Sequence, residues 1–113
     1  MELTFRELEN GIRLLKLAGE LDLQGVGEIE TKFGAYTAVE KPLILVDLEE
    51  VIFLASIGIR MLVSTAKVVV RRGGKLILLN PQPNVLTVLQ MAGILEIIPS
   101  FDDLESATKA LLG

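Results

Sequence analysis

Among 113 residues the chain has no His and no Cys. The usual general bases, thiolate nucleophiles and zinc or copper ligands are therefore missing, and neither a metal nor another cofactor is expected. Hydroxyls and carboxylates remain, and one serine stands out by position. In the run Val46-Asp47-Leu48-Glu49-Glu50-Val51-Ile52-Phe53-Leu54-Ala55-Ser56-Ile57-Gly58-Ile59-Arg60-Met61-Leu62, an apolar strand ends, a short acidic loop follows, and Ser56 stands where a helix begins. That places one hydroxyl at the positive end of a helix dipole. As a nucleophile Ser56 lacks both a Gly-x-Ser-x-Gly elbow and a histidine base, so no catalytic residue is assigned and an enzyme is not expected.

Two roles fit Ser56. The plain one is a helix N-cap worth about 1 kcal/mol. The other is a regulatory switch, in which the family resemblance given below implies a phosphate acceptor. A phosphate adds roughly −1.5 to −2 charges at neutral pH, which the open N–H groups of a helix start accommodate. A docked partner would feel it instead. Glu20, Asp22, Asp47, Glu49 and Glu50 are expected near the same rim, and a dianion added there inside a desolvated interface costs several kcal/mol; ~3 kcal/mol already exceeds a hundredfold in affinity.

Further features need weighing. Ile57, Met61, Ser64, Thr65 and Val68 recur at steps of three and four, beside the stripe of the same helix that must face the core. They form either a hydrophobic docking strip or a surface covered by a neighbouring helix. Asp22 is either the N-cap of an earlier helix or a residue facing Ser56. Gly25-Val26-Gly27 lacks the third glycine of a dinucleotide fingerprint, because Glu30 stands there, and reads as a locally flexible helix start. Asp47 with Glu49-Glu50 reads as a solvated acidic loop rather than a glycosidase pair.

The elements that must position these residues follow from periodicity. Leu3 to Leu8 alternates as a strand, Asn10-Gly11 signals a two-residue hairpin, and Ile12 to Ala18 returns antiparallel, closed by Gly19. Leu23 to Val39 has helical spacing in Val26, Ile29, Phe33 and Tyr36 and ends before Pro42. Leu43 to Leu48 is a continuous apolar run suited to a central parallel strand. Ser56 to Arg72 is helical, with Ile59, Leu62, Val63, Ala66, Val69 and Val70 turned inward, and Gly73-Gly74 stops it. Lys75 to Leu79 is a strand, Asn84 to Ala92 a helix, Leu95 to Ile98 a short strand cut by Pro99, and a last helix runs from Asp102 or Asp103 to Leu112. The order β-β-α-β-α-β-α-β-α implies an α/β fold: a mixed sheet of four to five strands, an antiparallel hairpin followed by β-α units, with about four helices. No linker or repeat interrupts it, so residues 1–113 read as one domain.

Composition limits the function classes. Half of the residues are apolar and only 4% are aromatic, so Leu, Ile and Val must build the core. The net charge of −4 argues against nonspecific binding to nucleic acid or anionic lipid and fits a partner with a basic docking surface. The longest apolar-rich stretch, Val85 to Pro99, is too short and too interrupted to span a bilayer, and no signal peptide is visible, so a cytoplasmic location is expected.

Several segments in order resemble the stand-alone STAS domain of bacterial anti-sigma-factor antagonists: Gly19-Glu20-Leu21-Asp22, Val46 to Leu54, Ala55-Ser56-Ile57-Gly58-Ile59, Gly73-Gly74-Lys75 and Met91-Ala92-Gly93-Ile94. The resemblance implies transcriptional regulation by partner switching. The unphosphorylated domain binds an anti-sigma factor that is also a serine kinase, phosphorylation at Ser56 dissolves the complex, and a serine phosphatase resets it. Partner contacts are then expected at Glu20, Asp22, Ala55, Ile57, Gly58, Arg60 and Met61, with magnesium and ATP belonging to the kinase. Two positions depart from the family pattern: Ala55 stands where an acidic residue precedes the serine, and Ile57 replaces a small polar residue. The Ala55 departure favours the rival reading, a non-phosphorylated scaffold or a soluble subunit of a lipid or anion transport system. A third reading is a small-ligand or nucleotide sensor.

Overall fold

The computed structural model describes all 113 residues. Strands β1 (Glu2–Glu7), β2 (Ile12–Leu21), β3 (Leu43–Leu54), β4 (Lys75–Leu79) and β5 (Ser100–Phe101) form one sheet in the order β1-β2-β3-β4-β5. β1 and β2 are antiparallel and every later pair is parallel. The helices are α1 (Leu23–Thr37), α2 (Ser56–Arg71), α3 (Pro83–Met91) and α4 (Leu104–Leu112). The mixed α/β sheet with four helices is the architecture that the periodicities imply, and helix limits agree to within two residues.

The larger core lies on one face. Leu15, Leu17, Ile44, Val46, Leu48, Leu76 and Leu78 from the strands meet Phe33 of α1, Leu62 and Val69 of α2, and Leu89 of α3. On the other face α4 lays Ala107 and Leu111 over Ile12, Leu45, Ile77 and Leu79. Continuous apolar runs in β3 and β4 are required because both faces of these strands are covered.

Four expectations change. The hairpin is not closed by two residues: Leu8 to Gly11 make the connection, with a tight turn at Glu9–Gly11, and Leu8 N–H donates to the Ile12 carbonyl at 2.7 Å. Gly19 does not end its strand. It sits inside β2 at φ +116°, beside a break in register, and the ladder continues to Leu21. The acidic stretch after Leu48 is strand rather than loop, since Glu50, Val51, Phe53 and Leu54 still pair with Ala18, Gly19, Glu20 and Leu21. Bulges hide this from a period-two reading. Finally, Leu95 to Ile98 is not a strand. Gly93 turns the chain at φ +70°, the Ile94 carbonyl accepts from Ile97 and Ile98, and pairing with β4 begins only after Pro99.

Candidate functional site

The extended β3 defines the site. β4 stops opposite Asp47, whereas β3 runs seven residues further beside β2 alone. At the far end Leu21 pairs with Leu54, and Ala55 N–H donates to the Leu21 carbonyl at 3.1 Å. Both strands then turn into helices at one place, so the starts of α1 and α2 are fixed side by side.

Asp22 is the α1 N-cap: its Oδ1 accepts from Gly25 N–H at 2.8 Å. Gly25 is needed there because a Cβ would run into the Glu20 carbonyl. Close packing, not flexibility, explains this glycine. Gly58 plays the same part in α2. A Cβ on it would lie 2.7 Å from the Leu21 carbonyl oxygen, 2.8 Å from Leu21 Cγ and 2.9 Å from Leu54 Cδ1. These two glycines press both helix starts onto the strand ends.

Ser56 departs from the capping expectation. The N-cap of α2 is Ala55, whose carbonyl accepts from Gly58 and Ile59 at 3.0 and 3.1 Å, and no side chain caps the helix. Ser56 is the first helical residue and is exposed. Its hydroxyl is therefore free, at a helix start whose leading N–H groups have no intrahelical partner. Ala55 and Ile57 beside it are half-buried, Arg60 is exposed one turn on, and Met61 is buried.

The acidic rim is smaller than expected. Glu20, opposite Phe53, and Asp22 lie at the tip. Asp47, Glu49 and Glu50 do not; Glu50, six residues before Ser56, is already roughly 20 Å away along the strand. Glu50 Oε2 is held by Lys16 Nζ at 2.6 Å, and that bond with its charge raises the lysine pKa. Glu49 accepts from Asn80 at 2.6 Å, and Asp47 from Glu49 N–H at 3.0 Å. These carboxylates brace the sheet.

The strip on α2 is partly covered. Val26 of α1 and Met61 of α2 are in the core, while Ile57, Arg60, Ser64 and Thr65 face Glu30 and Gly34 across a groove of about 350 Å³. Val68 and Val70 project into solvent, against the inward placement expected for Val70. Three residues that sequence reasoning missed are the exposed apolar groups at the tip: Leu23 at 74%, Ile52 at 55% and Phe53 at 50%. Ile52 has no partner in the ladder with β2 and its carbonyl accepts from Asn84. The bulge at Ile52 turns two consecutive apolar residues outward. Only a bulge would have exposed them, and the sequence carries no mark of one.

The STAS domain family matches residues 6–107. The chain belongs to the STAS domain family. BtrV of Bordetella bronchiseptica, named as a candidate anti-sigma factor antagonist, is 26% identical over 110 residues, covering 97% of this chain and 94% of BtrV. An anti-sigma factor antagonist from Mycobacterium paratuberculosis superposes with a TM-score of 0.86 at 23% identity, covering 99% of this chain and 96% of that one. The anti-sigma factor antagonist SpoIIAA, unphosphorylated, superposes at 0.77 with 24% identity over 96% of both chains. In this chain the Ala55-Ser56-Ile57-Gly58-Ile59 segment opens α2. No helix is long and apolar enough to cross a membrane.

Proposed function

We propose that this chain is an anti-sigma-factor antagonist that acts in the cytoplasm by partner switching, with Ser56 as the residue that accepts and loses phosphate. The names of BtrV and SpoIIAA support the role, as does the existence of SpoIIAA in a phosphorylated form as well as an unphosphorylated one. The observation that carries the reading is an exposed, unengaged hydroxyl on the first residue of α2, at the same end of the sheet as the exposed apolar Leu23, Ile52 and Phe53. STAS antagonists regulate by binding and catalyse nothing themselves, so the partner, an anti-sigma factor that is also a serine kinase, supplies ATP, magnesium and the transfer machinery.

The switch follows from electrostatics. Unphosphorylated, the tip offers an apolar centre edged by Glu20 and Asp22, with Ala55, Ile57, Gly58, Arg60 and Met61 shaping the α2 side. Burying apolar side chains from both proteins there drives association. A phosphate on Ser56 places a dianion inside the desolvated patch, next to two carboxylates. The free helix start tolerates it, so the fold survives while the complex does not. A phosphatase restores binding. The alternative, a scaffold that is never phosphorylated, draws on Ala55, which offers no carboxylate to a kinase's magnesium. Incubation with the cognate anti-sigma kinase and ATP, followed by intact-mass measurement and site mapping, tests the reading. One phosphate on Ser56, absent in Ser56→Ala, is expected; no mass change, or modification elsewhere, overturns it.

A further inference from the structure

The charges of this chain are segregated. Residues 51–95 contain Arg60, Lys67, Arg71, Arg72 and Lys75 and no Asp or Glu, so all 15 acidic residues lie elsewhere. On α2, Ser56, Arg60, Ser64, Lys67 and Arg71 are all exposed. At about 100° per residue these five fall within an arc of about 80°, a ridge about 22 Å long that begins at the switch serine. The ion pairs of the chain engage the N-terminus, Arg13, Lys16 and Lys109, and none of the cations of this ridge. Beside the ridge, Lys67 and Arg71 border a groove of about 340 Å³ with Ala66, Val70 and Ile97. Val70 is 64% exposed and Ile97 57%.

From this combination we infer that the α2 ridge and its groove dock an acidic amphipathic segment of a partner protein. The inference rests on the partner-switching reading and states the chemistry of the partner: carboxylates along the ridge and an apolar side chain in the groove. Three unpaired cations in line lower the energy of an approaching acidic strip and raise its association rate. A membrane fits less well. The chain has no Trp, and its net charge of −4 repels an anionic surface. The ridge also joins the two halves of the site: a phosphate on Ser56 stands one turn from Arg60 and competes with the partner's carboxylates for it.

The test uses Lys67→Glu with Arg71→Glu, and Lys67→Gln with Arg71→Gln as the milder pair, both at exposed positions and roughly 16 Å or more from Ser56 along the helix. Binding to the purified anti-sigma kinase is measured at low and high salt. Charge reversal is expected to weaken it about 10- to 100-fold at about 0.05 M salt, the neutral pair less, with the differences shrinking at about 0.5 M. Unchanged affinity at low salt overturns the ridge while leaving Ser56 phosphorylation standing. If no anti-sigma kinase binds, the functional reading falls and a second probe still decides the ridge. In that experiment a 16-residue helical peptide with one Glu face and one Leu face is titrated into ¹⁵N-labelled protein. Amide shifts along α2 and at Ile97, lost on charge reversal, support docking. Shifts elsewhere, no shifts, or reversal-sensitive binding to phosphatidylglycerol vesicles without peptide binding overturn it.

Discussion

Replacing Gly58 with alanine tests how the site is built. In an open helical position Gly→Ala stabilises by about 0.5–1 kcal/mol, because alanine loses less backbone entropy and favours the helix. Gly27 and Gly34 of α1 are such positions: both are exposed, and a Cβ at either meets nothing within 4 Å. Gly58 is not. Its Cβ would meet the Leu21 carbonyl, Leu21 Cγ and Leu54 Cδ1, all within 2.9 Å. Two of these atoms belong to fully or nearly buried core leucines and one to the backbone, so no surface rotamer relieves the clash. Overpacking costs roughly 1–3 kcal/mol, and three contacts below 3.0 Å call for the upper part of that range, about 2–3 kcal/mol, which outweighs the propensity gain by about 1–2 kcal/mol. At about 4 °C per kcal/mol for a chain of this size, Gly58→Ala is expected to lower Tm by about 4–8 °C, and Gly34→Ala to raise it by about 2–4 °C. Thermal melts followed by circular dichroism read both. The same substitution thus changes sign between two helices. If Gly58→Ala raises Tm as Gly34→Ala does, α2 does not press on the strand ends and they do not fix the position of Ser56.

Other outcomes follow from the same geometry. Ser56→Ala should change urea stability by no more than a few tenths of a kcal/mol, since the hydroxyl caps nothing, whereas Asp22→Ala should cost about 1 kcal/mol by removing the α1 cap; a cost for Ser56→Ala equal to that for Asp22→Ala would show that the serine caps after all. Phe53→Ser, at a half-exposed position, should leave the fold intact and weaken the anti-sigma complex by at least tenfold, because roughly half of an aromatic side chain is then withheld from the interface; calorimetry with unchanged affinity would remove Phe53 from it. Asp103 caps α4 by accepting from Ser106 N–H at 2.8 Å and Ser106 Oγ at 3.0 Å, and these bonds lower its pKa below the usual 3.8. A lowered folded-state pKa means stability that is present above about pH 4 and lost as pH falls through the folded value. Urea curves of wild type and Asp103→Asn should therefore differ most above pH 4 and converge below it, and a gap that persists at pH 2 would refute this.

How far the sequence reveals the fold depends on whether one period rules each segment. The α2 pattern does, with Leu62, Ala66 and Val69 returning at helical steps, and β4 is an apolar run that only a doubly covered strand accommodates. The last turns of α2 are misleading, because Val70 is apolar yet open to solvent, and apolar character alone does not give the direction of a side chain. β3 beyond Leu48 misleads more: Glu49-Glu50, buried Val51, exposed Ile52-Phe53 and buried Leu54 follow neither period, since bulges shift the ladder with β2. The exposure of Ile52 and Phe53 was illegible for that reason. Ser56 at the start of α2 was legible from the preceding strand and the following stripe. That Ala55 takes the cap was not, because a one-residue displacement of a helix start leaves the stripe almost unchanged.

Partner switching at Ser56 is decided by the affinity of the purified anti-sigma kinase for two otherwise identical preparations of this chain. One is unmodified and one carries phosphoserine at position 56, and the two are compared by titration calorimetry after spectra confirm the same fold. Tight binding by the first and a loss of at least a hundredfold in the second are expected. Equal affinities would contradict the switch.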